Sequence, residues 1–287
     1  MADRKTMIFS DSTCDLPKSI TDARNIIINP LTIVFGDDNK IDGVDITPDD
    51  VYAFYAKTGM LAKTTATNIA EHEEFIKSNL KDSMGAVYFT ISSEMSSNNN
   101  YANVAAEEFE NVYVIDSRNL STGIGLLVLH AADLADQGKT AKEIYDEIVS
   151  MTDRVDASFI VDTLEYLHKG GRCSSIAALG ANLLKLRPCI QVKDGKMSVA
   201  KKYRGKMSDV LKTYVKEKIS DVDNLDGNRI FITNSGNCEE IEKELEQIVR
   251  EVYPDKEIIL NRAGCTVSSH CGPGTLGILM IRKRPIE

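Results

Sequence analysis

The chain has 287 residues, and 43 acidic against 34 basic side chains give it a formal net charge of -9. This length suits two modest domains or one large α/β unit. No block of lysine and arginine offsets the negative charge, which argues against a nucleic-acid partner and favours a small bound anion. The six cysteines are scattered without a CxxC pair. A zinc ribbon or a redox dithiol is therefore not indicated.

The beginning of the chain lacks the apolar core of a signal peptide, since charged residues lead directly into the short apolar segment Met7-Ile8-Phe9. The longest apolar run, from Ile124 to His130, is too short to span a bilayer. We therefore expect a soluble cytoplasmic protein with no stable membrane insertion.

In the first half of the chain, short apolar strands alternate with helices. Strands are predicted over Thr6–Ser10, Ile26–Asn29, Leu31–Phe35, Ala86–Ile91 and Val112–Ile115, and helices over Pro48–Ala56, Ala70–Leu80, Asn100–Phe109 and from beyond Ser117 to about Asp136. Thr47 as N-cap and Pro48 at the first helical position mark one helix start. Crossover helices between short apolar strands are typical of a doubly wound, mostly parallel sheet.

Polar clusters follow three of these strands. They are Asp11-Ser12-Thr13, Ser92-Ser93 and Asp116-Ser117. Small molecules bind outside the carboxyl ends of the strands in open α/β sheets, so these clusters mark a candidate site. Each cluster also has a simpler interpretation as a helix N-cap, which we favour for Ser12 and Ser117.

The pattern changes after about residue 155. Thr140 and Glu143 form a capping box for a helix over Ala141–Thr152. Beyond it the sequence predicts an Asp194-Gly195 hairpin. The other strands predicted for the second half are Ser158–Val161, Cys189–Val192, Met197–Tyr203, Arg229–Thr233 and Glu257–Leu260. A helical turn is predicted at Leu164–His168, and helices at Ile176–Leu186, from Ser208 as cap to Ile219, and at Glu239–Val252. We predict an N-terminal α/β domain over 1–155 and a C-terminal α+β domain with a mixed sheet over 156–287.

The segment from Gly170 to Ser175 has the composition of an anion site. Paired glycines allow close backbone approach, Ser174 or Ser175 can cap a following helix, and Arg172 offers a fork of donors. The alternative is a glycine turn before a capped helix, with Arg172 in solvent.

Motifs occur along the whole chain, at Asp11-Ser12-Thr13-Cys14-Asp15-Leu16-Pro17, Thr64-Thr65, Ile91-Ser92-Ser93-Glu94-Met95-Ser96-Ser97, Asp116-Ser117, Leu164 to Arg172, Arg187-Pro188, Gly195, Arg204 and His270 to Gly277. Together they resemble the DegV family of bacterial fatty-acid-binding proteins over essentially the whole chain. Ala66-Thr67 replaces the family's usual Gln-Pro, and Ser97 stands where glycine is common.

The resemblance implies a two-domain protein that holds one long-chain fatty acid in a tunnel at the domain interface. It implies that the protein is a carrier in phospholipid metabolism rather than an enzyme, with no cofactor, and that a partner fatty acid kinase converts the bound carboxylate to an acyl phosphate. The family's carboxylate contacts map onto Ser93 and onto Thr64 and Thr65, of which either could point inward. Arg172, Arg204 and His270 match positions linked to the head group or to the partner.

Two catalytic alternatives stay open. Ser93 as nucleophile with His270 as base would make a lipid esterase or thioesterase, although Ser93 lacks a Gly-x-Ser-x-Gly elbow. A reactive thiol is the second alternative, with Cys14, Cys173 or Cys271 as candidates. His72, His130 and His168 form no HxxxH pair, so a metal site has no support.

Overall fold

The computed structural model describes residues 4–81, 84–173, 186–236 and 238–286. Within these ranges the helices are α1 (Lys18–Ala23), α2 (Pro48–Thr58), α3 (Ile69–Asn79), α4 (Asn98–Ala106), α5 (Thr122–Asp136), α6 (Ala141–Val149), α7 (Glu165–Gly170), α8 (Met207–Lys218), α9 (Glu239–Val252) and α10 (Cys265–Cys271). The strands are β1 (Thr6–Asp11), β2 (Ile26–Asn29), β3 (Thr32–Phe35), β4 (Asp38–Ile41), β5 (Lys63–Thr65), β6 (Gly85–Thr90), β7 (Val112–Asp116), β8 (Val155–Ile160), β9 (Leu186–Lys193), β10 (Lys196–Arg204), β11 (Leu225–Asn234), β12 (Glu257–Arg262) and β13 (Leu276–Arg282).

The first half of the described chain builds a parallel sheet in the order β2-β1-β6-β7. Its central strands are buried on both faces, as Ile8, Phe9, Val87 and Tyr88 show. Near-continuous apolar strands of this kind need helices on both sides. The predicted doubly wound parallel sheet is confirmed, and the polar clusters that end β1, β6 and β7 meet at one edge.

The second half builds a mixed sheet in the order β10-β9-β8-β13-β11-β12, where only β11 and β12 run parallel. The predicted hairpin is present. Asp194 and Gly195 both have positive φ, of 50° and 78°. Positive φ at both central residues gives a two-residue turn whose twist matches that of the two flanking strands. The predicted α+β half with a mixed sheet is therefore confirmed.

A third, small antiparallel sheet joins β4, β3 and β5. The sequence predicts a strand near β3 but neither of its neighbours. Strand β4 has four residues and β5 has three, which is too short for an alternation of apolar and polar residues to be recognised. This sheet matters for the site, since β5 contains Thr64 and Thr65.

Helix α5 lies between the two large sheets and is buried along almost its whole length. It contacts β1 and β6 on one side and β8, β11 and β13 on the other. One apolar cluster consequently extends from Val87 and Ile115 through Leu127 to Phe159 and Leu279. The boundary between residues 155 and 156 stays a prediction; β8 begins at this point.

Some predicted elements differ from the structure. Ser208 lies inside α8, whose N-cap is Lys206, so its predicted capping role is wrong. The predicted helix over 176–186 lies outside the described residues except at Leu186, which begins β9. Nothing in the sequence pattern indicated α10 or β13. In the described part of the chain, no helix has an apolar stretch long enough to cross a bilayer.

Candidate functional site

A cavity of about 640 Å³ opens at the carboxyl edge of the parallel sheet. Apolar side chains form most of its wall, and hydroxyl, guanidinium and imidazole groups lie among them. The lining residues include Leu31, Thr64, Thr65, Ile91, Ser93, Met95, Tyr101, Leu120, Arg172, Met197, Thr266, Val267, His270 and Cys271. A mostly apolar cavity with a few convergent polar groups is the usual form of a small-molecule site.

Thr64 and His270 meet in this wall although 206 residues separate them in the chain. The Thr64 hydroxyl lies 3.0 Å from His270 Nε2. The other ring nitrogen, Nδ1, is buried and has no hydrogen-bond partner among the described residues. Burial lowers the pKa of His270 to about 4, and the charge of nearby Arg172 acts in the same direction. The imidazole is therefore neutral near pH 7.

Carboxylates from the first half of the chain hold helix α10, which carries His270. Asp42 accepts hydrogen bonds from the Cys265 and Thr266 backbone N–H groups and from the Thr266 hydroxyl, at 2.9, 3.3 and 2.7 Å. Asp15 accepts from the Gly264 N–H at 2.9 Å. Buried carboxylates at the first N–H groups of a helix satisfy donors that the helix leaves free.

The loop after β6 places Ser93 at the cavity. The Ser93 hydroxyl donates to Asp116 Oδ2 at 2.6 Å, and its backbone N–H donates to Oδ1 at 3.1 Å. Arg118 Nη1 donates to the Ser93 hydroxyl at 3.3 Å, and Nη2 donates to the Asp194 carbonyl. Ser92 donates to the Gly195 carbonyl at 2.7 Å. The serine loop thus contacts the tip of the β9–β10 hairpin.

The structure brings most of the predicted site residues together. Thr64, Thr65, Ser93, Arg172 and His270 all line the cavity. The Thr65 hydroxyl also donates to the Thr32 carbonyl at 3.3 Å, which leaves Thr64 as the threonine with a polar partner in the cavity wall. Arg172 is exposed and donates to the Gly170 carbonyl at 2.8 Å.

Arg204 differs from the other predicted residues. It ends β10, is exposed, and is not among the described residues that line the cavity. The helix start expected at Ser174 or Ser175 lies outside the described ranges. Ser97, which replaces a common glycine, has a helical φ of -72°, so the site does not need glycine there.

A second cavity of about 680 Å³ adjoins the first. Thr64, Arg172 and His270 line both. Phe54, Met60, Lys63 and Lys169 also contribute to the second wall, together with Gly170. The polar group around Thr64 is therefore accessible from two sides.

A buried polar network lies behind the cavity. Asp11 accepts from Asn98 at 2.8 Å and from the Ile91 N–H at 2.9 Å. Asn98 Oδ1 lies 3.2 Å from His72 Nε2, and His72 Nδ1 lies 2.9 Å from the Tyr88 hydroxyl. The sequence indicated neither the bond between Asp11 and Asn98 nor the place of His72 in this network, because the partners come from distant strands and helices. These contacts fix the start of α4 against the sheet.

This network predicts a pH dependence of stability. Burial lowers the pKa of His72 to about 4 from an ordinary value of 6.5. The unfolded chain therefore takes up this proton first, and the free energy of unfolding should fall by on the order of 3 kcal/mol between about pH 6.5 and pH 4. Burial raises the pKa of Asp11 to about 6, which acts in the opposite direction below that pH. Urea unfolding of wild type and His72→Gln across this range isolates the histidine: the variant should lose this fall, and equal slopes would contradict the prediction.

The catalytic alternatives find little support in the geometry. The Ser93 hydroxyl donates to Asp116, and His270 Nε2 has Thr64 as its partner. All six cysteines are buried, and burial raises the pKa of Cys14 and Cys271 to about 12. A thiol with such a pKa is a poor nucleophile near pH 7. Among the described residues, no group of three or more His, Cys, Asp or Glu side chains could hold a metal ion.

The known proteins that this chain resembles in sequence and in fold are described as DegV proteins. A DegV domain-containing protein of Clostridium perfringens is 33% identical over 291 residues, which cover 97% of this chain and 98% of the relative. A solved DegV family protein from Thermus thermophilus, reported for its fatty acid binding, superposes with a TM-score of 0.88 at 25% identity, covering 97% of this chain and 99% of that one. DegV of Bacillus subtilis, described as a fatty acid binding protein, superposes with a TM-score of 0.84 at 26% identity, covering 98% of this chain and 100% of that one.

The sequence profile described as "Uncharacterised protein, DegV family" matches residues 5–283. The match covers both large sheets, the small sheet that carries Thr64 and the helix that carries His270. Because profile, relatives and fold agree over nearly the full length, the resemblance predicted from the motifs is confirmed, and the chain belongs to the DegV family.

Proposed function

We propose that this protein binds one long-chain fatty acid in the 640 Å³ cavity, with the carboxylate at the polar group formed by Thr64, Ser93 and Arg172. The observation that carries this proposal is that the cavity wall combines apolar side chains with a few hydrogen-bond donors. Leu31, Met95 and Leu120 suit an acyl chain, whereas hydroxyls and a guanidinium suit a carboxylate. The Thermus thermophilus and Bacillus subtilis relatives, described as fatty acid binding, support it.

The neutral state of His270 fits this role. A neutral imidazole can form a hydrogen bond with the Thr64 hydroxyl without adding a second buried charge. Arg172 then supplies the positive charge that a buried carboxylate needs. A purely apolar cavity would instead force the carboxyl group to protonate.

The protein then serves as a carrier that presents the carboxylate to a partner fatty acid kinase, which forms an acyl phosphate. The second cavity supports this step, because Thr64, Arg172 and His270 border it as well. A phosphoryl donor could approach the head group from that side while the acyl chain stays in the first cavity. The exposed Arg204 is suited to contact the kinase.

Native mass spectrometry of delipidated protein tests the binding proposal. After incubation with a long-chain fatty acid, we expect a mass increase of one fatty acid per chain. Addition of a fatty acid kinase and ATP should then yield acyl phosphate, and the protein alone should not turn over acyl esters or thioesters. Failure to take up any long-chain acid would overturn the proposal. Thioester hydrolysis that disappears in Ser93→Ala would instead support the esterase alternative.

Two alanine variants separate the head-group role from the partner role. Ser93→Ala removes a donor to the carboxylate and should weaken fatty-acid affinity roughly tenfold to a hundredfold. Arg204→Ala should keep the affinity and lower kinase-dependent phosphorylation. Isothermal titration with fatty acid and a coupled kinase assay measure the two effects. Unchanged binding in Ser93→Ala, or equal loss of both in Arg204→Ala, would contradict this division.

A further inference from the structure

The Ser93 hydroxyl already has hydrogen-bond partners within the protein. Its single proton is donated to Asp116 Oδ2 at 2.6 Å, and Arg118 Nη1 donates to the Ser93 hydroxyl oxygen at 3.3 Å. In this state Ser93 can offer a carboxylate only a lone pair, and two acceptors repel each other. A fatty-acid head group that bonds to Ser93 must therefore take its proton away from Asp116.

Asp116 has other partners that can hold its charge after such a change. The backbone N–H groups of Ser93 and Arg118 both donate to Oδ1, at 3.1 and 3.0 Å. The Arg118 guanidinium lies 3.5 Å from Oδ2. Arg118 is itself held in place, because its Nη2 donates to the Asp194 carbonyl at the hairpin tip. Neither Asp116 nor Arg118 is among the described residues that line the cavity.

We propose that Asp116 competes with the fatty-acid carboxylate for the Ser93 proton. Arg118 is the positioning residue, because its guanidinium holds Asp116 once the Ser93 hydroxyl donates to the ligand instead. Asp116 thereby lowers the affinity for the carboxylate, and Arg118 limits this loss. The inference rests on the proposed function, since it needs a carboxylate at Ser93. It assigns to two residues outside the cavity a control over how tightly the head group is held.

Asp116→Asn is the decisive variant. The two backbone N–H groups keep the asparagine oxygen at the Oδ1 position, which directs the amide NH₂ toward Ser93. Ser93 then accepts from the amide, and its own proton is free for the ligand. We expect fatty-acid affinity to rise roughly fivefold to tenfold. A purely structural role for Asp116 predicts unchanged or weaker binding.

A double-mutant cycle shows whether the effect passes through Ser93. Asp116→Asn should change the affinity of a Ser93→Ala protein by less than about twofold, because no hydroxyl is left to redirect. Arg118→Ala should weaken binding roughly tenfold in the wild-type background, Arg118→Lys should restore part of the loss, and Arg118→Ala should have little effect beside Asp116→Asn. Isothermal titration with one long-chain fatty acid measures each arm.

Ser150→Ala is the control for a serine-to-alanine change, since the Ser150 hydroxyl donates to the Glu147 carbonyl at the exposed end of α6 and is not among the described residues that line the cavity. We expect its affinity within about twofold of wild type, and thermal melts check that every variant is folded. If wild type binds no fatty acid, the proposed function itself fails. The competition proposal is overturned if wild type binds but folded Asp116→Asn binds fatty acid equally well or more weakly. It is also overturned if Asp116→Asn raises the affinity of the Ser93→Ala protein as much as it raises that of wild type.

Discussion

Replacement of Asp42 by alanine should lower the free energy of unfolding by roughly 3 to 5 kcal/mol. The Asp42 side chain is buried and accepts from two backbone N–H groups at the start of α10, from the Thr266 hydroxyl and from the Ser12 hydroxyl. Alanine leaves these donors without an acceptor and away from water. Urea unfolding followed by circular dichroism measures the loss.

The same change should also reduce fatty-acid binding, because α10 carries Thr266, Val267 and His270 into the cavity wall. Asp42→Asn keeps one acceptor oxygen and should recover part of the stability. Asp38→Ala, at an exposed position of the strand that precedes Asp42, is the matched control and should stay within about 0.5 kcal/mol of wild type. A folded Asp42→Ala protein with wild-type stability would show that α10 does not depend on this carboxylate.

Gly170→Ala should weaken fatty-acid binding roughly tenfold to a hundredfold. A Cβ atom at Gly170 would lie 2.5 Å from His270 Nδ1, closer than real Cβ contacts. The imidazole must then move, and its contact with the Thr64 hydroxyl is lost. Displaced side chains in a packed site cost about 1 to 3 kcal/mol. Titration with fatty acid measures the affinity.

The adjacent glycine offers a close control. Gly171 has a φ of 70°, and a Cβ atom there would meet no atom within 4 Å of the described structure. Gly171→Ala should therefore cost about 1 kcal/mol of stability through left-handed strain while the affinity stays near that of wild type. Equal affinity losses in both variants would show that the α7 turn, rather than His270, explains the effect.

Elements with strong local signals could be predicted from the sequence. Thr47 as an N-cap, the capping box at Thr140 and the Asp194-Gly195 turn are all present. Helix α10 could not be predicted, because its sequence, Cys-Thr-Val-Ser-Ser-His-Cys, has no apolar periodicity. The backbone N–H groups at its start donate to Asp42 and Asp15, more than 200 residues away in the chain. Local pattern carries no information about such partners.

The candidate site shows the same division. The ends of β1, β6 and β7 could be predicted from the polar clusters that follow them, so the meeting of Ser93 with Asp116 follows from topology. The contact of Thr64 with His270 does not, because it joins an unpredicted strand to an unpredicted helix. The family resemblance named both residues without indicating that they touch. Arg118 was missed because an arginine after a strand end reads as a solvated side chain.

Helix α5 has a consequence for how the protein unfolds. Because α5 packs against strands of both large sheets, neither sheet can separate from the other without exposing an apolar side of this helix. Separate melting of the two halves would leave Leu127 and its neighbours in water, at a cost of about 25 cal/mol for each Å² exposed. The two sheets should therefore denature as one cooperative unit, although the chain order suggests two domains.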